Sequence, residues 1–146
     1  MEKLNKILEL ITSKLKGLNY AFIGSISVKA QGVKEIKPRD IDILTTPEEL
    51  KTIVEKLKEH QTKEVYFDES NGRNSYRTFF EIDGIEIEVL GNVNNVVRSK
   101  NSLDKKIIVK HDDLELSCLP LKEEITAYEK MGRKDKADMI KNFLDD

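Results

Sequence analysis

The sequence has little of what marks exported or membrane-bound proteins. Its 146 residues include one cysteine, Cys118, which excludes an internal disulfide and fits a reducing compartment. No apolar stretch approaches the roughly 20 residues that a membrane-spanning helix needs. Charged residues interrupt the apolar ones throughout residues 1–18, whereas a signal peptide has a continuous apolar region, so we expect neither a signal peptide nor a membrane anchor. We therefore expect a cytoplasmic protein without membrane association.

The net charge of the chain is also small. The 25 basic residues nearly balance the 27 acidic ones, so the chain has no global field that would select nucleic acid or a membrane surface. Histidine occurs only at His60 and His111, which weighs against metal-dependent nucleases and phosphatases that combine clustered acids with histidine. The length matches one domain, and we expect residues 1–146 to form a single domain.

Helical and strand periodicities alternate along the chain. Apolar residues from Leu4 to Leu18 recur at spacings of three and four, which predicts an amphipathic helix, and the apolar run at 20–23 predicts a short buried strand. The Thr46-Pro47 pair predicts the start of a helix that reaches about His60. The order helix, strand, helix, strand, helix, several strands and two C-terminal helices predicts an α+β or mixed α/β fold, and we expect α+β.

Two later segments place carboxylates on strand faces. Asp40 and Asp42 flank Ile41 in an alternating segment, so both aspartates point to the same side of a strand. Glu86 and Glu88 alternate with apolar residues in the same way, and alternation alone cannot separate these two glutamates.

A Gly-Ser turn, the Asp-x-Asp strand and a third carboxylate together predict a metal-dependent phosphate site. Gly24 follows the first predicted strand, and glycine lets the backbone and a following helix N-terminus approach a phosphate closely. Ser25 adds a hydroxyl donor. Mg²⁺ prefers oxygen ligands and typically uses one or two carboxylates plus phosphate oxygens. Two such ions could activate a hydroxyl and neutralise a leaving pyrophosphate, so the chemistry indicated is nucleotidyl transfer.

These motifs resemble the nucleotidyltransferase superfamily, which includes DNA polymerase β, the aminoglycoside nucleotidyltransferases and minimal prokaryotic enzymes of toxin–antitoxin systems. Phe22-Ile23-Gly24-Ser25 and Asp40-Ile41-Asp42-Ile43 are similar to its phosphate and metal motifs, although the 14 residues between them, 26–39, form a slightly longer gap than usual. The segment 84–91 looks like the strand of the third acid. We place that acid at Glu88, and Glu86 remains an alternative.

The resemblance implies a mixed sheet flanked by helices and a Mg²⁺-dependent transfer of a nucleoside monophosphate from an NTP, such as ATP, to a hydroxyl. The acceptor could be a protein, tRNA or a small molecule. Two metal ions are possible. The implied roles are metal binding and catalysis for Asp40, Asp42 and Glu88, and phosphate contacts for Gly24, Ser25, Arg39 and Lys134 or Lys136.

A second hypothesis is a non-catalytic domain of the same fold that binds a nucleotide or a protein partner, because a fold does not certify an activity. The tail from Leu119 to Asp138 is similar to one in minimal members found beside abortive-infection toxins, which favours toxin–antitoxin biology weakly. A small chain leaves little room for an acceptor pocket, so a protein partner or a homodimer could supply one.

Overall fold

The computed structural model describes residues 2–92, 97–99 and 101–145. Within them the chain forms five α-helices and seven β-strands. The helices are α1 (Glu2–Lys14), α2 (Gly24–Ala30), α3 (Pro47–Lys56), α4 (Leu121–Lys130) and α5 (Lys134–Asp145). The strands are β1 (Tyr20–Ile23), β2 (Ile41–Thr45), β3 (Gln61–Asp68), β4 (Ser75–Ile82), β5 (Ile85–Asn92), β6 (Ile107–His111) and β7 (Leu114–Cys118).

The seven strands form one sheet in the order β3-β4-β5-β2-β1-β7-β6. Strand β2 runs parallel to β5, and β1 runs parallel to β7. The remaining neighbours are antiparallel. The sheet is therefore mixed, with β5, β2 and β1 near its centre, and the predicted α+β fold is confirmed.

Helix α3 begins as its sequence predicts. The Thr46 hydroxyl accepts a hydrogen bond from the Glu49 N–H at 3.1 Å, and Pro47 occupies the first turn, where its missing N–H costs nothing. The predicted end near His60 is wrong. The helix ends at Lys56, because Leu57 leaves helical angles and a separate 3₁₀ turn at Lys58–His60 leads directly into β3.

The main core lies on one face of the sheet, beneath α1 and α3. Helix α1 buries the apolar stripe that its periodicity predicts, consisting of Leu4, Ile7, Leu8 and Ile11. These side chains pack with Leu50 and Ile53 of α3 and with the inward residues of the central strands, Phe22, Ile41, Ile43, Ile87 and Val89. Because side chains alternate across a strand, Asp42 and Glu88 lie on the opposite face.

Helices α2, α4 and α5 pack together beside the sheet, and α2 also contributes Ile26 and Ala30 to the main core. These helices share a second apolar cluster with the segment that follows α2, made of Val28, Val33, Ile36, Leu121, Tyr128, Ala137 and Ile140. The C-terminal helices thus form one wall beside the acidic strand ends. Among the helices that the structure describes, none has the length and apolar character needed to span a bilayer.

Candidate active site

Strand register brings the predicted acids together. Asp42 is the direct partner of Glu88 in the parallel β2/β5 pair, and it lies opposite Ile23 in the antiparallel β1/β2 pair. Gly24 follows Ile23, so the Gly-Ser turn adjoins the same strand ends. Asp40 lies just before β2 and is exposed, whereas Asp42 and Glu88 are half-buried. Glu86 is exposed and paired with Glu81, which favours Glu88 as the third acid.

A cavity of about 880 Å³ opens over these strand ends. Four carboxylates line it, Glu35, Asp40, Asp42 and Glu88. Its cationic side chains are Lys37, Arg39, Arg73, Arg77, Arg98, Arg133 and Lys136. The site therefore combines a small acidic centre with a basic surround, an arrangement that can hold a polyanion through both cations and coordinated metal.

Asp42 lies at the electrostatic centre of the site. Burial, together with the nearby carboxylates of Glu88 and Asp40, raises the pKa of Asp42 to about 7, and the Arg98 guanidinium opposes that rise. Clustered carboxylates that repel one another favour either a bound proton or a bound cation. Among residues 2–92, 97–99 and 101–145, however, no three metal-binding side chains converge on one point.

An arginine contacts Glu88. Arg77 of β4 donates from Nη1 to Glu88 Oε2 at 2.5 Å, and its Nε lies 3.2 Å from Asp68 Oδ2 without the alignment of a hydrogen bond. Both side chains of the Arg77–Glu88 pair are largely buried. Glu88 is thus engaged by a guanidinium, which explains why it does not join Asp40 and Asp42 in a three-ligand group.

Position 24 requires a glycine. Its φ of +70° lies in the left-handed region, and a Cβ at this position would come within 2.8 Å of Asp42 Oδ2. A side chain there would be strained and would displace the carboxylate. The turn is therefore a glycine because the backbone must pass next to the acid.

The Gly24 amide is already occupied. Its N–H donates to Glu124 Oε1 of α4 at 2.7 Å, which leaves this donor unavailable to a phosphate in this conformation. Because helix α2 has only seven residues, we expect little phosphate binding from its N-terminus. Ser25 lines the cavity, so its hydroxyl remains the main phosphate donor expected from the turn. The predicted phosphate contact of the Gly24 amide stays a prediction.

Glu124 forms a buried ion pair with Arg98. The guanidinium donates from Nη1 to Oε2 and from Nη2 to Oε1, both at 2.8 Å, and neither residue is exposed. Burial raises the pKa of the Glu124 carboxyl, while Arg98 and the Gly24 N–H favour its ionised form. The pair ties α4 and the segment before β6 to the Gly-Ser turn.

The family model described as aminoglycoside-2''-adenylyltransferase matches residues 3–141. The chain belongs to this family. It is therefore a nucleotidyltransferase, an enzyme class that transfers phosphorus-containing groups, and the resemblance drawn from Gly24-Ser25 and Asp40-Ile41-Asp42 is confirmed at the level of the superfamily. No functionally curated protein matches the chain significantly.

Two solved structures resemble this aminoglycoside-2''-adenylyltransferase family member along nearly its whole length. A candidate nucleotidyltransferase from Thermotoga maritima has 28% sequence identity and a TM-score of 0.80, covering 99% of this chain and 94% of its own. The antibiotic-resistance factor ANT(2'')-Ia has 14% identity and a TM-score of 0.63, covering 99% of this chain and 86% of its own. The second likeness shows the shared fold alone.

The remaining predicted phosphate ligands of this family member divide into two groups. Arg39 and Lys136 line the cavity, together with Arg133, which the sequence did not single out. Lys134 is exposed at the start of α5 and is not among the lining residues. Lys136 is therefore the better placed of the two lysines that we considered.

Sequence reasoning did not assign roles to Glu124, Arg98 and Arg77. Glu124 carries a detectable signal, because it falls between Leu121 and Tyr128 on the buried stripe of α4, where a charge needs a partner. Arg98 and Arg77 carry no comparable signal, since their roles depend on partners 26 and 11 residues away.

Proposed function

We propose that the chain transfers AMP from ATP to a hydroxyl of an acceptor in a Mg²⁺-dependent reaction. The observation that supports this proposal is the register of β2 and β5, which sets Asp42 directly against Glu88 beside the Gly24-Ser25 turn. ATP is chosen among the nucleotides because the family is named for adenylyl transfer. The cavity adjoining the acids supplies the cations that a triphosphate needs.

The donor set fits Mg²⁺. Asp40 and Asp42 offer hard oxygen atoms and flank one residue on the same side of the chain, and Mg²⁺ sites commonly need only one or two carboxylates besides substrate phosphates. The clustering of Asp42 with Glu88 and Asp40, which raises the pKa of Asp42, is the repulsion that a cation relieves. When bound, the ion would neutralise charge on the phosphates of the nucleotide.

The chain's own residues would hold and orient the triphosphate. The Ser25 hydroxyl donates to a phosphate oxygen, and the Lys136 ammonium and the Arg39 guanidinium offer further charge-assisted donors from the cavity wall. Gly24 keeps the backbone close to Asp42 without a side chain between them. Fixed donors of this kind act by positioning the reactants and by stabilising charge that develops in the transition state.

The transfer itself is a displacement at the α-phosphorus. The acceptor hydroxyl oxygen forms a bond to the α-phosphorus, the bond from that phosphorus to the bridging oxygen breaks, and pyrophosphate leaves with the bonding electrons. The hydroxyl proton passes to the Glu88 carboxylate, which accepts it as general base. Arg77 holds Oε2 of Glu88 and thereby orients that carboxylate.

Nucleotide binding tests the acidic site directly. With Mg²⁺ and labelled ATP, we expect Asp40→Asn and Asp42→Asn to lose most of the affinity of the unchanged chain. Asp113→Asn is the matched control. It removes the same charge from an exposed residue in the turn between β6 and β7. Affinity that is equal in all four proteins would refute the proposed site.

A thermal-shift measurement tests the metal requirement. ATP at 100 times its dissociation constant should stabilise the folded state by about 2.7 kcal/mol, and EDTA should abolish most of that stabilisation. A shift that is unchanged by EDTA would contradict the metal requirement, and no shift with any nucleotide would contradict nucleotide binding itself. Pyrophosphate release in the presence of candidate acceptors then separates catalysis from binding alone.

A further inference from the structure

We propose that Glu124 is a positioning residue for nucleotide binding, and that it holds the Gly24-Ser25 turn from the side away from the cavity. The inference rests on the proposed nucleotidyl transfer and adds to it a residue from helix α4, outside the strands that carry the acids. Glu124 does not touch the nucleotide itself. It acts through the hydrogen bond that its Oε1 accepts from the Gly24 N–H at 2.7 Å.

The Glu124 carboxylate lies behind the turn. Gly24 and Ser25 line the cavity, whereas Glu124 is not among the described residues that line it. The Glu124 side chain is only 1% exposed. The Gly24 N–H therefore points towards α4 and out of the cavity, so the bond to Glu124 does not occupy a place that a phosphate would take.

No local side chain fixes the start of helix α2. Helices commonly begin at a Ser, Thr, Asp or Asn, whose side chain accepts an N–H of the first turn. Here the residue at that position is Ile23, which makes no such bond, and the helix starts at Gly24, whose backbone is the least restricted of all residues. Glu124 supplies the missing acceptor from 100 residues away.

Arg98 fixes the carboxylate in turn. Its Nη2 donates to Oε1, the atom that also receives the Gly24 N–H, and its Nη1 donates to Oε2. Two parallel bonds of this kind restrict the rotation of a carboxylate. An apolar pair of similar volume would often give an equally stable fold. Stability alone therefore gives no reason for a buried carboxylate at this position, whereas the contact with the turn does.

The rest of helix α2 is attached independently of Glu124. The Ser27 hydroxyl and the Gln31 side-chain amide both donate to the Leu119 carbonyl, at 3.1 Å and 2.8 Å. The Leu119 N–H donates to the Phe22 carbonyl at 3.2 Å. These bonds do not involve position 124. Replacing Glu124 should therefore release the turn without detaching α2 from the segment before α4.

Two double variants isolate the contact with the turn. Arg98→Met/Glu124→Gln and Arg98→Met/Glu124→Leu both remove the buried ion pair. Besides burial and the other acids of the site, Arg98 lowers the pKa of Asp42 and Glu124 raises it, so both variants lose these opposing effects together. Glutamine keeps an oxygen that accepts the Gly24 N–H, and leucine does not. Circular dichroism and urea denaturation establish that both variants are folded at the temperature of the binding measurement.

Isothermal titration calorimetry with MgATP and with magnesium tripolyphosphate compares the two variants. We expect the leucine variant to bind each ligand at least about tenfold more weakly than the glutamine variant, which is about 1.4 kcal/mol. The loss should be the same for both ligands, because the turn contacts phosphate groups only. Glu129→Gln and Glu129→Leu are the matched control on the same helix, since Glu129 pairs with Lys141 at the surface. These two should bind equally.

Amide hydrogen exchange measures the bond itself in the nucleotide-free protein. The Gly24 N–H should be protected in the unchanged chain and in the glutamine variant, and it should exchange rapidly in the leucine variant. If the leucine variant does not fold, Arg98→Met/Glu124→Met makes the same comparison. An unprotected Gly24 amide in the unchanged chain would overturn the inference without any substitution.

The binding outcomes separate the inference from the proposed function. Equal affinities of the glutamine and leucine variants would overturn the positioning role. Tighter binding by the leucine variant would also overturn it, because Glu124 would then compete with phosphate for the Gly24 N–H. A loss for MgATP alone would place the effect at the nucleoside, which contradicts a role at the turn. If the unchanged chain binds neither ligand, the proposed function fails as well.

Discussion

The Glu124 carboxylate accepts the Gly24 N–H at 2.7 Å across 100 residues of sequence. This contact links helix α4 to the turn that passes Asp42, and the same carboxylate holds the Arg98 guanidinium through two hydrogen bonds. One buried side chain therefore joins three separate segments around the acidic centre. Its removal should affect both the stability of the fold and the geometry of the site.

Glu124→Gln should destabilise the fold strongly. The amide has no charge and cannot accept from Gly24 and both Arg98 nitrogens at once, so a buried guanidinium loses its counter-charge. Breaking one side of a buried ion pair costs about 3–5 kcal/mol. Urea denaturation measures this change, with Glu129→Gln as control, because Glu129 on the same helix pairs with Lys141 at the surface and should cost no more than about 1 kcal/mol. Equal losses in the two variants would contradict the role of Glu124.

Gly24→Ala should abolish nucleotide binding. The substitution forces a side chain into a positive φ and against Asp42 Oδ2. Gly17→Ala is the control, since Gly17 also has a positive φ, +84°, but nothing lies within 4 Å of its added Cβ. Both variants should lose about 1–2 kcal/mol of stability from the backbone strain. Only Gly24→Ala should lose affinity for labelled ATP with Mg²⁺, and unchanged affinity would show that the close approach to Asp42 has no role.

The fold was largely predictable because its signals are local. The apolar stripe of α1, the Thr46-Pro47 start of α3 and the alternation in β5 each depend on residues close in sequence. The order of the strands was not predictable from these patterns. The parallel pairing of β2 with β5 joins segments more than 40 residues apart, and register of this kind is decided by tertiary packing.

The candidate site was predictable only in part for the same reason. Strand alternation placed Asp40 with Asp42 and left Glu86 and Glu88 equivalent, and the β2/β5 register was needed to set Glu88 against Asp42. The partners of Glu88 and Gly24 depend on side chains from β4 and α4. No local pattern specifies which distant arginine reaches a carboxylate.

The stability of the metal-free protein should fall as pH rises from about 4 to about 7. The pKa of Asp42 is raised from 3.8 to about 7, chiefly by burial and by Glu88 and Asp40, with Arg98 opposing and Glu124 adding to the rise. A raised pKa means that the folded state holds the proton more tightly than the unfolded state. The free energy of unfolding therefore decreases with pH through this window and stays lower above it.

Asp42→Asn isolates this contribution, because asparagine does not ionise. In EDTA, its stability relative to the unchanged chain should increase from pH 4 to pH 7 and then remain constant, as measured by urea denaturation at each pH. Asp113→Asn, in the exposed turn, should show a stability difference that varies little over the same range. A difference for Asp42→Asn that is the same at pH 4.5 and pH 8 would contradict a raised pKa at Asp42.

Arg77→Gln should increase the rise in melting temperature that Mg²⁺ produces. The Arg77 guanidinium occupies Glu88 Oε2 at 2.5 Å and supplies positive charge beside the acids, so it competes with a metal ion for the same carboxylate. Without it, the metal-free protein should be less stable, because Glu88 and Asp68 lose a counter-charge. Mg²⁺ should then raise the melting temperature by more than it does in the unchanged chain.

Arg73→Gln is the control, since Arg73 contacts Asp68 at 3.9 Å and has no ion pair with Glu88 among the described residues. A Mg²⁺ response in Arg77→Gln equal to that of Arg73→Gln would show that the guanidinium does not compete with the metal.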